Sequence, residues 1–389
     1  MNKLKIITIV GARPQFIKAA AVSRAVRKHY PEKIRELIIH SGQHYDDNMS
    51  RVFFEEMEIP RPDYNLEVGS GSHAFQTAEI IRGVEMILLD EKPDMVLVYG
   101  DTNTTLAGAL AAAKMHIPVA HIEAGLRSFN KSMPEEINRV LCDHLSTFLF
   151  SPTLTGFQNL VREGFRADAV QPYSIDKPRI YHCGDVMLDN ALYFLQIAEK
   201  RSHILDTLFL KDKEYILCTI HRDNNTDSAV RLSAIISSLN EISRERQITI
   251  ILPLHPRTTK MLPVMLDGKT RESIKANPFF RMTSPVSYFD MLLLESRCRM
   301  IITDSGGVQK ESYFFRKPCL VLRPESEWKE LIELGTAAIV DADPSLILEA
   351  FNRFLKQPPD LFPSIFGDGK TAEFILDELV KFLPTNLVN

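Results

Sequence analysis

Most signals that would quickly assign this sequence to a class are missing from it. Its five cysteines, Cys142, Cys183, Cys218, Cys298 and Cys319, are scattered and odd in number, with no C-x-x-C pair. Neither a structural zinc site nor a disulfide framework is expected, and several sit among apolar neighbours, as buried free thiols do. No apolar run reaches the ~18 residues of a membrane span, and no small-residue cleavage site follows the first strand-like segment. The expectation is a cytoplasmic protein with no membrane insertion. Charge is nearly balanced at −4 and no long basic run occurs, which argues against nucleic acid as a partner. No G-x-G-x-x-G opens a strand–helix unit, which disfavours a dinucleotide redox cofactor, and there is no G-x-S-x-G nucleophile elbow. Gly-Lys-Thr at 369–371 looks like part of a phosphate loop, but Ser364 stands where its first glycine belongs and no apolar strand precedes it.

What is present is a repeated alternation of short apolar runs and helical patterns. With 389 residues, 45% hydrophobic and 25% charged, the chain is too long for one ordinary core. Leu4 to Val10 reads as a strand, Gly11 to Pro14 as a tight loop carrying Arg13, and Gln15 to Lys28 as a helix with Lys18 in its first turn. A cation there opposes the helix dipole and calls for an anion nearby. Strands follow at 36–40, 94–99, 117–122, 147–150 and 179–183. Helices are expected at 46–57, from Ser72 to Glu91, at 104–115, from Pro134, and at 153–163. The pattern restarts at Tyr215 to Ile220, with further strands at 248–253, 279–285, 300–303, 318–322 and 337–340, and a last helix at about 371–383. Two such halves imply an α/β protein of two doubly wound Rossmann-like domains, with a ligand in the cleft between them. The expected division is 1–185, 186–367 and a terminal helical segment 368–389.

The polar residues gather after strand C-terminal ends, where open α/β sheets place ligands. Met300 to Glu311 is the richest case: an apolar run, then Thr-Asp-Ser-Gly-Gly, then a helix start. Ser305 can cap the helix or bind a phosphate oxygen, Gly306 and Gly307 allow close backbone approach, and the helix end favours an anion. Glu311, one turn in, suits ribose hydroxyls. His221 and Arg222 follow another strand, as does His255. His116, His121 and Glu123 hint at a metal, but the ligand set is incomplete and no metal is expected. Glu135 and Glu136 behind Pro134 read first as dipole-compensating acids. The remaining set (Arg13, Lys18, Asp101, Glu123, Glu135, His221, Arg222, His255, Ser305 to Gly307, Glu311 and Arg323) combines cations for a diphosphate with carboxylates for proton transfer.

Six stretches carry a family resemblance: Gly-Ala-Arg-Pro-Gln-Phe-Ile-Lys at 11–18, Gly-Gln-His at 42–44, Gly-Asp-Thr-Asn at 100–103, His-Ile-Glu-Ala-Gly-Leu-Arg at 121–127, Pro-Glu-Glu-Ile-Asn-Arg at 134–139 and Thr-Asp-Ser-Gly-Gly-Val-Gln-Lys-Glu at 303–311. In this number and order the chain resembles the non-hydrolysing UDP-N-acetylglucosamine 2-epimerases over nearly its whole length. The resemblance implies a glycosyltransferase-B architecture, no cofactor, a homodimer, and a last helix returning to the first domain. It also implies UDP anchors at Ser305, Gly306, Gly307, Glu311 and Arg323. Arg13 and Lys18 then face the diphosphate and sugar, and Asp101, Glu123, Glu135 and His221 form the catalytic group. The implied reaction eliminates UDP to a 2-acetamidoglucal and adds it back inverted at C2. Gly69 to His73 and Ser326 to Glu330 depart from the usual pattern and look more like the branch acting on UDP-2,3-diacetamido-2,3-dideoxyglucuronate. A UDP-sugar glycosyltransferase of the same architecture is the alternative from another class.

Overall fold

The computed structural model describes residues 3–42 and 61–382. The helix expected at 46–57, and Gln43 and His44, lie outside them. The chain forms two compact units, one of 1–190 with 364–389 and one of 191–363. In the first, β1 (Leu4–Val10), α1 (Arg13–His29), β2 (Ile34–His40) and β3 (Tyr64–Asn65) precede α2 (His73–Glu91), β4 (Met95–Tyr99) and α3 (Asn103–Lys114). Then come β5 (Val119–Ile122), α4 (Pro134–Leu145), β6 (Phe148–Ser151), α5 (Leu154–Arg162), β7 (Arg179–His182) and α6 (Val186–Arg201), within which the units part. The second unit holds α7 (Ile204–Thr207), β8 (Tyr215–Thr219), α8 (Asp223–Thr226), α9 (Ala229–Arg246), β9 (Thr249–Pro253), α10 (Pro256–Met265), α11 (Gly268–Lys275) and β10 (Phe280–Thr283). It continues with α12 (Tyr288–Arg297), β11 (Met300–Thr303), α13 (Gly306–Phe314), β12 (Cys319–Val321), α14 (Lys329–Glu333), β13 (Ala337–Ile339) and α15 (Pro344–Lys356). Helix α16 (Thr371–Val380) belongs to the first unit.

Both sheets are parallel throughout. The first runs β3-β2-β1-β4-β5-β6-β7 and the second β10-β9-β8-β11-β12-β13. In each, strand order reverses once, between β1 and β4 and between β8 and β11, and such a switch point opens a crevice at the strand C-termini. Strands covered on both faces must be apolar on both, and β4, β8 and β11 are buried at every residue. The first core packs Ile7, Ile9, Val96 and Val98 against Ile80, Val84, Leu88 and Ala107. The second packs Ile216, Ile250 and Ile302 against Ile235, Leu239 and Phe351. Truncating a fully buried phenylalanine such as Phe351 would cost roughly 3–5 kcal/mol.

Local capping fixes where helices start. Ser72, Thr102, Thr153, Ser228 and Ser287 each accept a backbone N–H three residues on. Helix α1 lacks such a cap at Ala12, and the Gln15 side chain reaches back instead, accepting from Gly11 N at 2.9 Å and Ala12 N at 3.0 Å. That reach starts the helix at Arg13, so Arg13 is its first residue, not a loop residue, and Lys18 sits in the second turn. Segment 323–328 is irregular, and its helix begins only at Lys329. Helix α16 docks on α1 through Tyr30 Oη to Asp377 at 2.7 Å. Its first amides, Thr371 N and Ala372 N, donate to the Asp189 carboxylate at 3.2 and 2.7 Å.

Candidate active site

At the β1/β4 switch point of the first unit, five charged side chains converge. Lys18 Nζ lies 2.6 Å from Glu123 Oε1, both largely buried. The anion that an early-helix lysine calls for is therefore a carboxylate 105 residues away in sequence. Asp101 Oδ2 takes Arg139 Nη2 at 2.6 Å, and Arg139 Nη1 reaches Glu136 Oε2 at 2.7 Å. Burial pushes Asp101 above the ordinary carboxylate range, helped by the Glu123 charge and opposed by Arg139 and Lys18. A carboxyl raised in this way is nearer the pKa that proton transfer at neutral pH requires.

The backbone is bent to make this approach. Glu123 has φ +80, a left-handed conformation that costs a β-carbon residue of order 1–3 kcal/mol. Gly100 has φ +66, and a Cβ there would stand 3.1 Å from Lys18 Nζ and 3.4 Å from Glu123 Oε1. A buried ion network holds the bend. His121 Nδ1 donates to Asp143 Oδ1 at 2.7 Å and Nε2 donates to the Gly100 carbonyl at 2.8 Å. Both partners only accept, so the ring carries both protons. Burial opposes that charge, but Cys142 and Asp143 outweigh it and hold the imidazole well above its ordinary range. The Asp143 carboxylate also takes Arg127 Nη2 at 2.7 Å and Gly125 N at 3.1 Å, and Arg127 forks onto Glu163. His121 is thus a structural cation that fixes the Gly100 carbonyl. It is not a ligand waiting for a metal.

Of the two glutamates after Pro134, Glu135 is exposed on α4 while Glu136 is buried. Glu136 accepts from Ser128 N at 2.8 Å, Ser128 Oγ at 2.9 Å and Phe129 N at 3.0 Å. These bonds and Arg139 draw it below the ordinary range despite burial. Three residues that proximity in sequence does not reveal thus shape this end of the unit: Gln15, Glu136 and Arg139. The only cue to Gln15 is that it is a polar side chain on the apolar buried face of α1, and Arg139 has no such cue, since the buried residues of α4 include Glu136, Asn138 and Asp143. Arg13 is exposed at the start of α1.

At the β8/β11 switch point of the second unit, Asp304 is the hub. Wholly buried, it accepts His221 N at 3.0 Å, Arg222 N at 3.0 Å and Asn225 Nδ2 at 3.1 Å. It therefore ties the loop after β8 to the loop after β11. His221 lies beside His255, ring centroids 5.5 Å apart. Burial, with His255 and Arg222 close by, lowers His221 below its ordinary range against the pull of Asp304, leaving it neutral at pH 7. Ser305 caps α13 through Val308 N. A Cβ on Gly306 would meet Glu327 Oε2 at 3.5 Å and Arg222 Nη2 and Arg323 Nη1 at 3.9 Å, so two guanidiniums gather at this helix start. Arg323 forks onto Glu327 at 2.8 and 2.9 Å. Glu311 is buried one turn along, and burial pushes it up to about 7 against the opposing charge of Lys310. Beneath it Glu295 is wholly buried, with neither oxygen hydrogen-bonded among the described residues. Burial and the Glu311 charge hold it well above the ordinary range.

Among the described residues no group of three or more histidine, cysteine, aspartate or glutamate side chains forms a metal site, and no helix is long and apolar enough to cross a membrane. The fold is that of a two-Rossmann-unit α/β protein, and relatives that share it are sugar-nucleotide 2-epimerases, which are isomerases. A UDP-N-acetylglucosamine 2-epimerase from Methanocaldococcus jannaschii, solved with UDP-GlcNAc and UDP, matches with a TM-score of 0.81 at 40% identity, covering 97% of this chain and 99% of that one. The family model for UDP-N-acetylglucosamine 2-epimerase matches residues 25–380, and the chain belongs to that family. A UDP-N-acetylglucosamine 2-epimerase homolog from Methanococcus maripaludis is 48% identical, over 97% of this chain and 99% of its own length. The UDP-2,3-diacetamido-2,3-dideoxy-D-glucuronate 2-epimerase of Pseudomonas aeruginosa is 43% identical, over 97% of this chain and 100% of its own length.

Proposed function

We propose that this protein interconverts UDP-N-acetylglucosamine and UDP-N-acetylmannosamine without a cofactor. A carboxylate takes the proton from sugar C2 as the C1–O bond to UDP breaks, leaving a C1=C2 double bond in a 2-acetamidoglucal. UDP then adds back to C1 while an acid delivers a proton to the opposite face of C2. The observation that carries this reading is the Lys18–Glu123 and Asp101–Arg139 cluster: two separate carboxylates, one raised, with cations beside them. In this reading Asp101, Glu123, Glu135 and His221 handle protons. Arg13 and Lys18 face the diphosphate and sugar. Ser305, Gly306, Gly307, Arg222, His255 and Arg323 hold the diphosphate end, and Glu311 holds the ribose.

The likeness to the Pseudomonas aeruginosa enzyme, together with Gly69–His73 and Ser326–Glu330, favours UDP-2,3-diacetamido-2,3-dideoxyglucuronate as the second candidate sugar. Incubation with each UDP-sugar in D2O tests both. Deuterium is expected at C2 of one of them, and faster turnover names the substrate. No deuterium with either sugar refutes the epimerase reading and leaves transfer to an acceptor. A homodimer is supported by large apolar side chains exposed on the two helices that pack on α3, Met86 and Leu89 on α2 and Ile137 and Leu141 on α4. Sedimentation velocity would show it as a species of twice the 44.2 kDa chain mass. Five free thiols suit the reducing cytoplasm.

A further inference from the structure

We propose that Glu327 is a built-in counter-anion, which occupies the arginine fork at the start of α13 in the empty protein and yields it to the diphosphate of the incoming nucleotide. The inference rests on the reading of this end of the second unit as the UDP site. Helix α13 presents free N–H groups and a partial positive charge of roughly +0.5, and Arg222 and Arg323 bring two guanidiniums to the same place. The group that sits among them is the Glu327 carboxylate, forked onto Arg323 at 2.8 and 2.9 Å and 3.5 Å from where a Gly306 Cβ would be. A planar carboxylate on a guanidinium fork stands in for one phosphate edge, since both anions accept the same pair of parallel N–H bonds.

This pair is not an ordinary helical i,i+4 contact. Segment 323–328 is irregular, and it is folded so that residue 327 returns onto residue 323. The segment is pinned on both sides of Glu327. Ser326 Oγ donates to Gln309 Oε1 at 2.6 Å, Trp328 Nε1 donates to the Gly306 carbonyl at 3.0 Å, and Lys310 Nζ stands 4.5 Å over the Trp328 ring. With the backbone held, exchange needs only a rotation of the Glu327 side chain, which is 30% exposed and has water to turn into. Such an internal anion keeps the guanidiniums apart and aimed while the site is empty. It also weakens the grip on UDP, which this chemistry must release from the sugar and then give up.

The test is calorimetric titration of UDP and of inorganic pyrophosphate into the full chain. Glu327→Gln removes the competing charge and is expected to bind UDP about tenfold more tightly, a 1.4 kcal/mol change. Glu327→Ala carries the same expectation, so a folding defect in one variant leaves the other informative, and Trp328 fluorescence reports whether the loop is intact. Unchanged or weaker UDP binding by both folded variants overturns the counter-anion. Wild-type protein that binds no UDP, or binds it equally well after Arg323→Ala, overturns the UDP-site reading itself.

Discussion

Asp143→Asn tests how the turns at Gly100 and Glu123 are held. The carboxylate is wholly buried and serves His121, Arg127 and Gly125 at once. Asparagine keeps its shape but removes the charge and turns one oxygen into a donor. That donor must face either the His121 N–H or the Arg127 N–H, so at least one buried cation loses its partner. Breaking a buried ion pair from one side costs roughly 3–5 kcal/mol. For a unit of about 200 residues each kcal/mol moves the melting point by about 2–4 °C, so a fall of roughly 6–20 °C is expected. Far-ultraviolet circular dichroism measures it. The single tryptophan, Trp328, lies in the second unit and provides an internal control by fluorescence. The sign of the pH dependence should also change. In the wild type the raised imidazole contributes stability that is full below about 6.5 and is lost as pH rises through its folded value. Without Asp143 the buried ring prefers to be neutral, so the variant should gain stability between about pH 5 and 6.5 and then level off. A melting point within about 3 °C of wild type, with an unchanged pH profile, would refute the argument that this network carries the turn.

Glu123→Gln should cut turnover by at least about a hundredfold, the usual worth of a positioned proton-transfer group, while UDP affinity measured by calorimetry stays nearly the same; parallel loss of both would make Glu123 a binding residue. Uridine should bind about tenfold more weakly at pH 6 than at pH 8, because Glu311, pushed up to about 7, accepts ribose hydroxyls best when ionised. A flat titration would take Glu311 out of the ribose site. Asp304→Asn weakens the bonds that place His221 and Arg222, each worth about 1.5–3 kcal/mol to a charged group. UDP affinity should then fall about ten- to a hundredfold, and an unchanged dissociation constant would show that the loops hold without it.

The sheets were readable because parallel strands buried on both faces leave continuous apolar runs, as at Leu4–Val10 and Met300–Thr303. Helices α10, α11 and α15 were not anticipated. Pro256, Gly268 and Pro344 at their starts, and Pro263 inside α10, read as loop punctuation until their neighbours pack. The candidate site was legible where polar residues directly follow an apolar run, as Asp101, Glu123, His221 and Ser305 do. It was illegible where partners meet across long stretches of chain. Nothing local to Arg139 says that it will reach Asp101, and nothing local to Lys18 says that Glu123 will meet it. Glu135 and Glu136 are adjacent and chemically identical, yet one ends exposed and the other buried on Ser128, Phe129 and Arg139. Only the rotation of α4 against the sheet distinguishes them.

Because Asp189 caps α16 and Tyr30 bonds to it, the first Rossmann unit lacks its last packed helix until residues 371–380 have left the ribosome. The second unit, encoded wholly within 191–363, can acquire its own core earlier in synthesis. The unit that carries the Lys18–Glu123 and Asp101–Arg139 pairs is therefore completed last, and a nascent chain stalled short of residue 371 would carry a finished second unit and a first unit still lacking its last helix.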